Sequence, residues 1–237
     1  MEIVLVPGMW LDGESWGEVA EQLEGAGHRV RSLTLPGLAS RDEDRRGIGY
    51  DDHVGAIVEA IDAASGPVLL VGHSAGCDLS WAAVDRRPDR VVRAILVGGL
   101  PSADGDALVG GYDAVDGEIP LPDWSAFGEE DLRDLDDAAR ERFRALAIPA
   151  PAGPLAGPQR LADERRLDVP VTAVCTEYSV AQLDEWLAGG PAWASEFLAI
   201  RDVERVDLPT GHWPQFTRPR ELAELILARA GAAAPAR

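Results

Sequence analysis

Six short runs rich in β-branched residues alternate along this chain with segments of helical period, and few folds accommodate that order. The runs cover residues 3–6, 30–35, 68–71, 91–97, 169–175 and 203–208, most of them stopping at Gly or Pro. Near-continuous apolar runs of this length suit strands covered on both faces, as parallel strands are. Between them, residues 14–25 set Trp16, Val19, Ala20 and Leu23 on one stripe, and residues 51–64 do the same with Val54, Ile57, Val58 and Ile61. Further helices are expected over 79–87, 129–146, 180–187 and 219–230. The alternation predicts an α/β fold, a mostly parallel sheet of about six strands with helices on both faces.

A length of 237 residues suits one domain, 1–237. The alternation lapses once. From 101 to 167 no strand is evident; acidic loops, Trp124, Phe127, one amphipathic helix and a Pro-rich stretch at 149–154 take its place. A connection this long is usually either a functional cover or disordered, and it reads as a small helical lid inserted after the fourth strand. The tail 231–237 is expected to fray.

Charge and composition remove several classes. Forty-one acidic against 22 basic residues give a formal charge of -19, which repels phosphate backbones and anionic membranes, so neither nucleic acid nor membrane is expected as a partner. All 22 basic residues are Arg, so no lysine exists for a Schiff base, a Walker A loop or a Ser-x-x-Lys pair. Asparagine is also absent, which removes N-glycosylation. Two cysteines, Cys77 and Cys175, are too few for a disulfide scaffold or a cysteine-built metal cluster. No cofactor or metal constellation stands out. Without a signal-like start or a membrane-length apolar run, a cytoplasmic location is expected. The Arg45-Arg46 and Arg165-Arg166 pairs read as solvated loop charges.

The chemistry concentrates at Gly72-His73-Ser74-Ala75-Gly76, a Gly-x-Ser-x-Gly pattern set directly between a buried strand and a helix. A serine on so sharp a turn adopts a strained backbone, and glycines two residues to either side allow it. The hydroxyl then stands at a helix N-terminus, where the dipole and the Ala75 N–H can stabilise an oxyanion. Of the four histidines, His28 and His53 read as structural or solvated, and the turn directs His73 elsewhere. His212 follows the last strand at the carboxyl edge of the sheet, where ligand sites of open α/β sheets lie. It is the candidate base. Glu177, just past the strand 169–175, is the candidate acid in the chain order Ser, acid, His; Asp104 or Asp106 after the preceding strand is the alternative. The loop Pro7-Gly8-Met9-Trp10 offers a second oxyanion donor, the Met9 N–H. Trp10, Trp124, Phe127, Trp213 and Phe216 are candidates for the substrate pocket, although each suits ordinary packing equally.

These residues resemble the α/β-hydrolase fold superfamily, and within it the small methylesterase and hydroxynitrile-lyase-like group. The likeness rests on Leu5-Val6-Pro7-Gly8-Met9-Trp10, on Gly25-Ala26-Gly27-His28-Arg29-Val30, on Gly72 to Gly76 and on Gly211-His212-Trp213. The resemblance implies an eight-stranded sheet reduced here to six, a lid over the site, Ser74 as nucleophile, His212 as base, Glu177 as acid, and Met9 and Ala75 as oxyanion donors. Pro7 stands where that group usually has histidine, and Glu177 where it usually has Asp. The lyases of the group resemble esterases with the oxyanion glycine replaced and a lysine near the histidine; this chain keeps Gly8 and has no lysine. The expected activity is therefore hydrolysis of small to medium, partly apolar carboxylic esters, lactones or thioesters through an acyl-enzyme. A non-hydrolytic enzyme on the same fold, or a binding protein that has lost turnover, are the rivals.

Overall fold

The computed structural model describes residues 1–108 and 111–232, the side chain of Ala232 excepted. One six-stranded sheet, all parallel, runs in the order β2-β1-β3-β4-β7-β8. Its strands are β1 (Glu2–Val6), β2 (Arg29–Ser32), β3 (Val68–His73), β4 (Val91–Val97), β7 (Val171–Cys175) and β8 (Val203–Asp207). The expected six-strand α/β sheet is thus the observed one. Three of its strands are shorter than the apolar runs, β8 by the single residue past Asp207. At the edge, β2 ends at Ser32 as the chain turns toward Pro36, and β7 starts only after Pro170, which lacks the N–H a ladder needs.

Alternation along each strand sorts the core into two layers. Val4, Val6, Val68 and Leu70 point toward α2 (Tyr50–Asp62) and α3 (Ala75–Arg86). Ile3, Leu5, Leu69 and Val71 point toward α1 (Gly17–Gly25) and α9 (Pro219–Ala232). Period two in the strands meets period 3.6 in the helices, and both faces of the sheet are covered. The remaining helices are α4 (Asp137–Leu146), α5 (Gly153–Ala156), α6 (Val180–Leu187), α7 (Ser195–Ala199) and α8 (Pro214–Thr217). No helix among the described residues is long and apolar enough to cross a membrane. Of the tail expected to fray, Gly231 and Ala232 close α9, and 233–237 lie outside the described residues.

Three expectations need correction. The segment between β4 and β7 does contain strands: β5 (Glu118–Ile119) pairs antiparallel with β6 (Ala150–Pro151). Two-residue strands carry no periodic signal, and Pro151 is tolerated there because the ribbon is all edge. The helix expected over 129–146 begins only at Asp137; Asp136 caps it by accepting from the Ala139 N–H at 2.7 Å, and Asp134 before it has a positive φ of 64°. Each arginine pair, finally, has one buried member. Arg45 is 2% exposed and donates to Glu118 at 3.1 Å, while Arg166 bonds Glu196 at 2.7 Å and Asp85 at 3.3 Å. Arg46 and Arg165 stay at the surface. A buried guanidinium persists where carboxylates meet it inside.

Asp78, one turn into α3, is another buried charge. Its carboxylate accepts from the Ser102 N–H at 2.7 Å, tying α3 to the start of the segment between β4 and β7. Burial drives its pKa up from 3.8 to about 7, against the pull of the Ser102 hydrogen bonds. An acid whose folded pKa is raised stabilises the fold fully below its unfolded pKa and loses that contribution as pH rises through the folded one. Thermal melting of the wild type should therefore fall relative to Asp78→Asn between pH 4 and pH 7. The expected divergence is several degrees, at roughly 2–4 °C per kcal/mol for a chain of this size. Parallel melting curves for the two proteins across that range would contradict the assignment.

Candidate active site

The turn between β3 and α3 is built around close backbone approach. Ser74 sits at φ 53°, ψ -127°, a conformation that L-residues adopt only under constraint. A Cβ at Gly72 would lie 2.5 Å from the Gly76 carbonyl oxygen, and one at Gly76 would lie 2.5 Å from that of Pro7. Both glycines are therefore needed for contact rather than for φ. Gly76→Ala should lower the urea midpoint by the equivalent of about 1–3 kcal/mol, because Pro7 must give way. An unchanged midpoint would contradict this packing.

Ser74 occupies the N-cap of α3, where a serine hydroxyl ordinarily accepts from its own helix. Here it makes no cap. Its Oγ lies 2.8 Å from His212 Nε2 instead, and His212 Nδ1 hydrogen bonds the Glu177 carboxylate. A carboxylate only accepts, so Nδ1 carries the proton and Nε2 is free to accept from the serine. Burial of Glu177 opposes its ionisation, but the hydrogen bond and charge of His212, with the Thr176 hydroxyl, outweigh it and hold the carboxyl below its usual range. Asp104 and Asp106 are exposed, and Asp104 accepts from the Leu161 N–H at 2.9 Å. Glu177 is the acid that meets His212.

The loop Pro7-Gly8-Met9-Trp10 lies against this turn. A Cβ at Gly8 would come within 2.8 Å of His73 Nδ1 and 3.0 Å of Ser74 Cβ, so only glycine lets the loop approach. Neither the Met9 nor the Ala75 N–H donates to a protein acceptor among the described residues. Trp10 follows at φ 65°, its indole donating to the Ile119 carbonyl at 3.0 Å.

His73 braces His212. Its Nε2–H donates to the His212 carbonyl at 2.7 Å, and burial together with the nearby His212 lowers its pKa to about 3, so it stays neutral. His53, expected to be structural or solvated, is buried and donates through Nε2 to the Pro36 carbonyl at 2.8 Å.

A cleft of about 700 Å³ opens over Ser74 and His212, walled by Trp10, Tyr112 and Phe127. Trp124 and Trp213 stand one layer back, their centroids 5.6 and 5.4 Å from that of Phe127, the first tilted against its ring and the second edge-on, and Trp213 is 1% exposed. Phe216 packs on Phe143 and is half-exposed, away from this wall. Of the aromatics expected in the pocket, Trp10 and Phe127 line the cleft, Trp124 and Trp213 back it, and Phe216 lies apart.

Three neighbours escaped the sequence reading. Asp131 accepts the His212 backbone N–H at 2.8 Å on its carbonyl, and its carboxylate joins Glu177 and His212 with ligand atoms within 4.8 Å of one another. Both His212 ring nitrogens are already engaged, by Glu177 and Ser74, which leaves neither free for a cation. Tyr112 packs edge-on to Trp10 at 5.3 Å. Gly98, at φ 62°, leaves room beside Thr176 and His212. The Gly98-Gly99 pair after β4 was a visible signal; nothing local marked Asp131 or Tyr112.

The model of the alpha/beta hydrolase family matches residues 3–225. The chain belongs to that family. As an alpha/beta hydrolase it is similar to Methylesterase 7 of Arabidopsis thaliana, 26% identical over 254 residues that cover 95% of each chain. Its fold is similar to that of a pyrethroid hydrolase from Sphingobium faniae, with a TM-score of 0.70 at 21% identity over 98% of each chain. Tomato methylketone synthase I is similar as well, with a TM-score of 0.75 at 17% identity over 98% of each chain. Likeness at these identities speaks for the alpha/beta hydrolase fold, and activity has to be argued from the site.

Proposed function

We propose that this chain is a serine hydrolase of carboxylic esters. The observation that carries the reading is the continuous hydrogen-bond line from Ser74 Oγ through His212 to the Glu177 carboxylate, set on a strained strand-to-helix turn. His212 takes the Ser74 proton as Oγ attacks the ester carbonyl, and the Met9 and Ala75 N–H groups receive the developing oxyanion. Collapse of this intermediate breaks the bond to the alkoxy oxygen, which leaves with the proton from His212. Water, deprotonated by His212, then splits the acyl-serine to a carboxylic acid and restores the hydroxyl. Glu177 holds the imidazole in the required tautomer throughout. The segment 101–167 serves as a lid, since Tyr112, Phe127 and Asp131 close over the cleft. The apolar walls suit small to medium, partly apolar esters; lactones and thioesters follow the same chemistry. The esterase name of the Arabidopsis relative supports the reading. Turnover of p-nitrophenyl esters of graded acyl length tests it: release of nitrophenolate is expected with a preference among short chains, and no turnover of any member would contradict it.

A further inference from the structure

We infer that the apolar cavity beside the oxyanion loop is the acyl subsite, and that His53 selects there for an acyl group bearing a hydrogen-bond donor such as a hydroxyl. This rests on the ester-hydrolase reading above. The cavity, narrow and open at its mouth, spans about 270 Å³ with the solvent it opens to and is bordered by Met9 and Ala75, with Leu35, Leu38, Leu79 and Leu155 among its walls. Ser74, His212 and Glu177 all line the other cleft, with Tyr112 and Asp131, and Met9 borders both spaces. The leaving oxygen must reach His212 to be protonated, so the alcohol occupies that cleft. The substituent on the carbonyl carbon is left to the cavity on the oxyanion side.

His53 is the one polar side chain among the residues lining this cavity, and it is 3% exposed. The Pro36 carbonyl can only accept, so His53 Nε2 carries the hydrogen of that 2.8 Å bond. Burial lowers the histidine's pKa, against the pull of Pro36 and Asp52, and keeps the ring neutral. Nδ1 is then a lone-pair acceptor, and it is buried without a partner among the described residues. Buried acceptors are nearly always satisfied, and an apolar cavity gives water little to hold. A substrate hydroxyl would satisfy this one, while a plain acyl chain leaves it unpaired, which is how a polar contact discriminates between acyl groups of similar shape.

The test compares p-nitrophenyl esters in matched pairs: phenylacetate with its 3- and 4-hydroxy derivatives, and butyrate with 3-hydroxybutyrate. The quantity read is the kcat/KM ratio within a pair, which does not depend on how much of a variant is folded. The wild type is expected to prefer the hydroxylated member of at least one pair by about tenfold, the scale of one neutral hydrogen bond. That ratio should fall toward one in His53→Leu and survive in part in His53→Gln, whose amide oxygen still accepts. A ratio near one in every wild-type pair, or one unchanged in His53→Leu, would overturn the subsite and leave the esterase reading standing. Hydrolysis of no ester at all would remove both.

Discussion

Ser74→Ala is expected to lose roughly 10⁴–10⁶-fold in kcat on p-nitrophenyl esters while melting close to the wild type. The two halves of this result come from the same geometry. Without Oγ no acyl-serine forms, and what remains is the stabilisation supplied by the oxyanion donors and by binding. The fold has little reason to notice, because the hydroxyl caps no helix and its partner is His212 Nε2. A serine at an N-cap ordinarily contributes about 1 kcal/mol that alanine forfeits; at Ser74 that contribution is absent already. The strained φ of 53° is imposed by the surrounding turn and persists with alanine. Paired steady-state kinetics and thermal melting check both halves, and a variant that turns over normally would remove the mechanism.

Glu177→Gln is expected to cost about 10³–10⁴-fold in kcat with KM changed little. Glutamine preserves shape but carries no charge, so it cannot stabilise the imidazolium that forms as Ser74 attacks. Its amide NH₂ can also turn toward His212 and favour the wrong tautomer. The pH behaviour follows from the direction of the Glu177 shift. Despite burial, His212 and the Thr176 hydroxyl hold the carboxyl below its ordinary 4.5, so it is ionised at neutral and mildly acidic pH. The stability that this ionisation adds is present above the unfolded pKa and lost as pH falls through the folded one. The deficit of the variant should therefore be seen at every pH from 5 to 8. A variant matching the wild type anywhere in that window would place the acid elsewhere.

What could be read from the sequence divides along a physical line. The β3 strand, the Ser74 turn and α3 follow from short-range rules: an apolar run, two glycines at fixed spacing, then helical period. His212 and Glu177 were legible because parallel strands place their carboxyl ends on one edge, so residues just past two different strands converge there. Features set by partners distant in the chain were not legible. Asp131 reaches His212 only because the insertion folds back over the sheet, and no spacing in the sequence encodes that return. Arg45 and Arg166 resemble their surface neighbours until Glu118, Glu196 and Asp85 meet them in three dimensions. The β5–β6 ribbon is too short for any period to emerge, and α4 starts late because Asp136, one acid among many in its stretch, happens to be the cap. Trp124 and Trp213 were visible as aromatics, but which wall an aromatic lines depends on layers of packing that sequence does not count.

Covalent labelling tests directly whether Ser74 carries the acyl group. The native protein would be treated with a fluorophosphonate, digested with trypsin and mapped by mass spectrometry. One phosphonyl adduct is expected, on the peptide and at the position of Ser74, with labelling abolished in Ser74→Ala and strongly slowed in His212→Ala. An unlabelled wild type, or an adduct at any other residue, would contradict it.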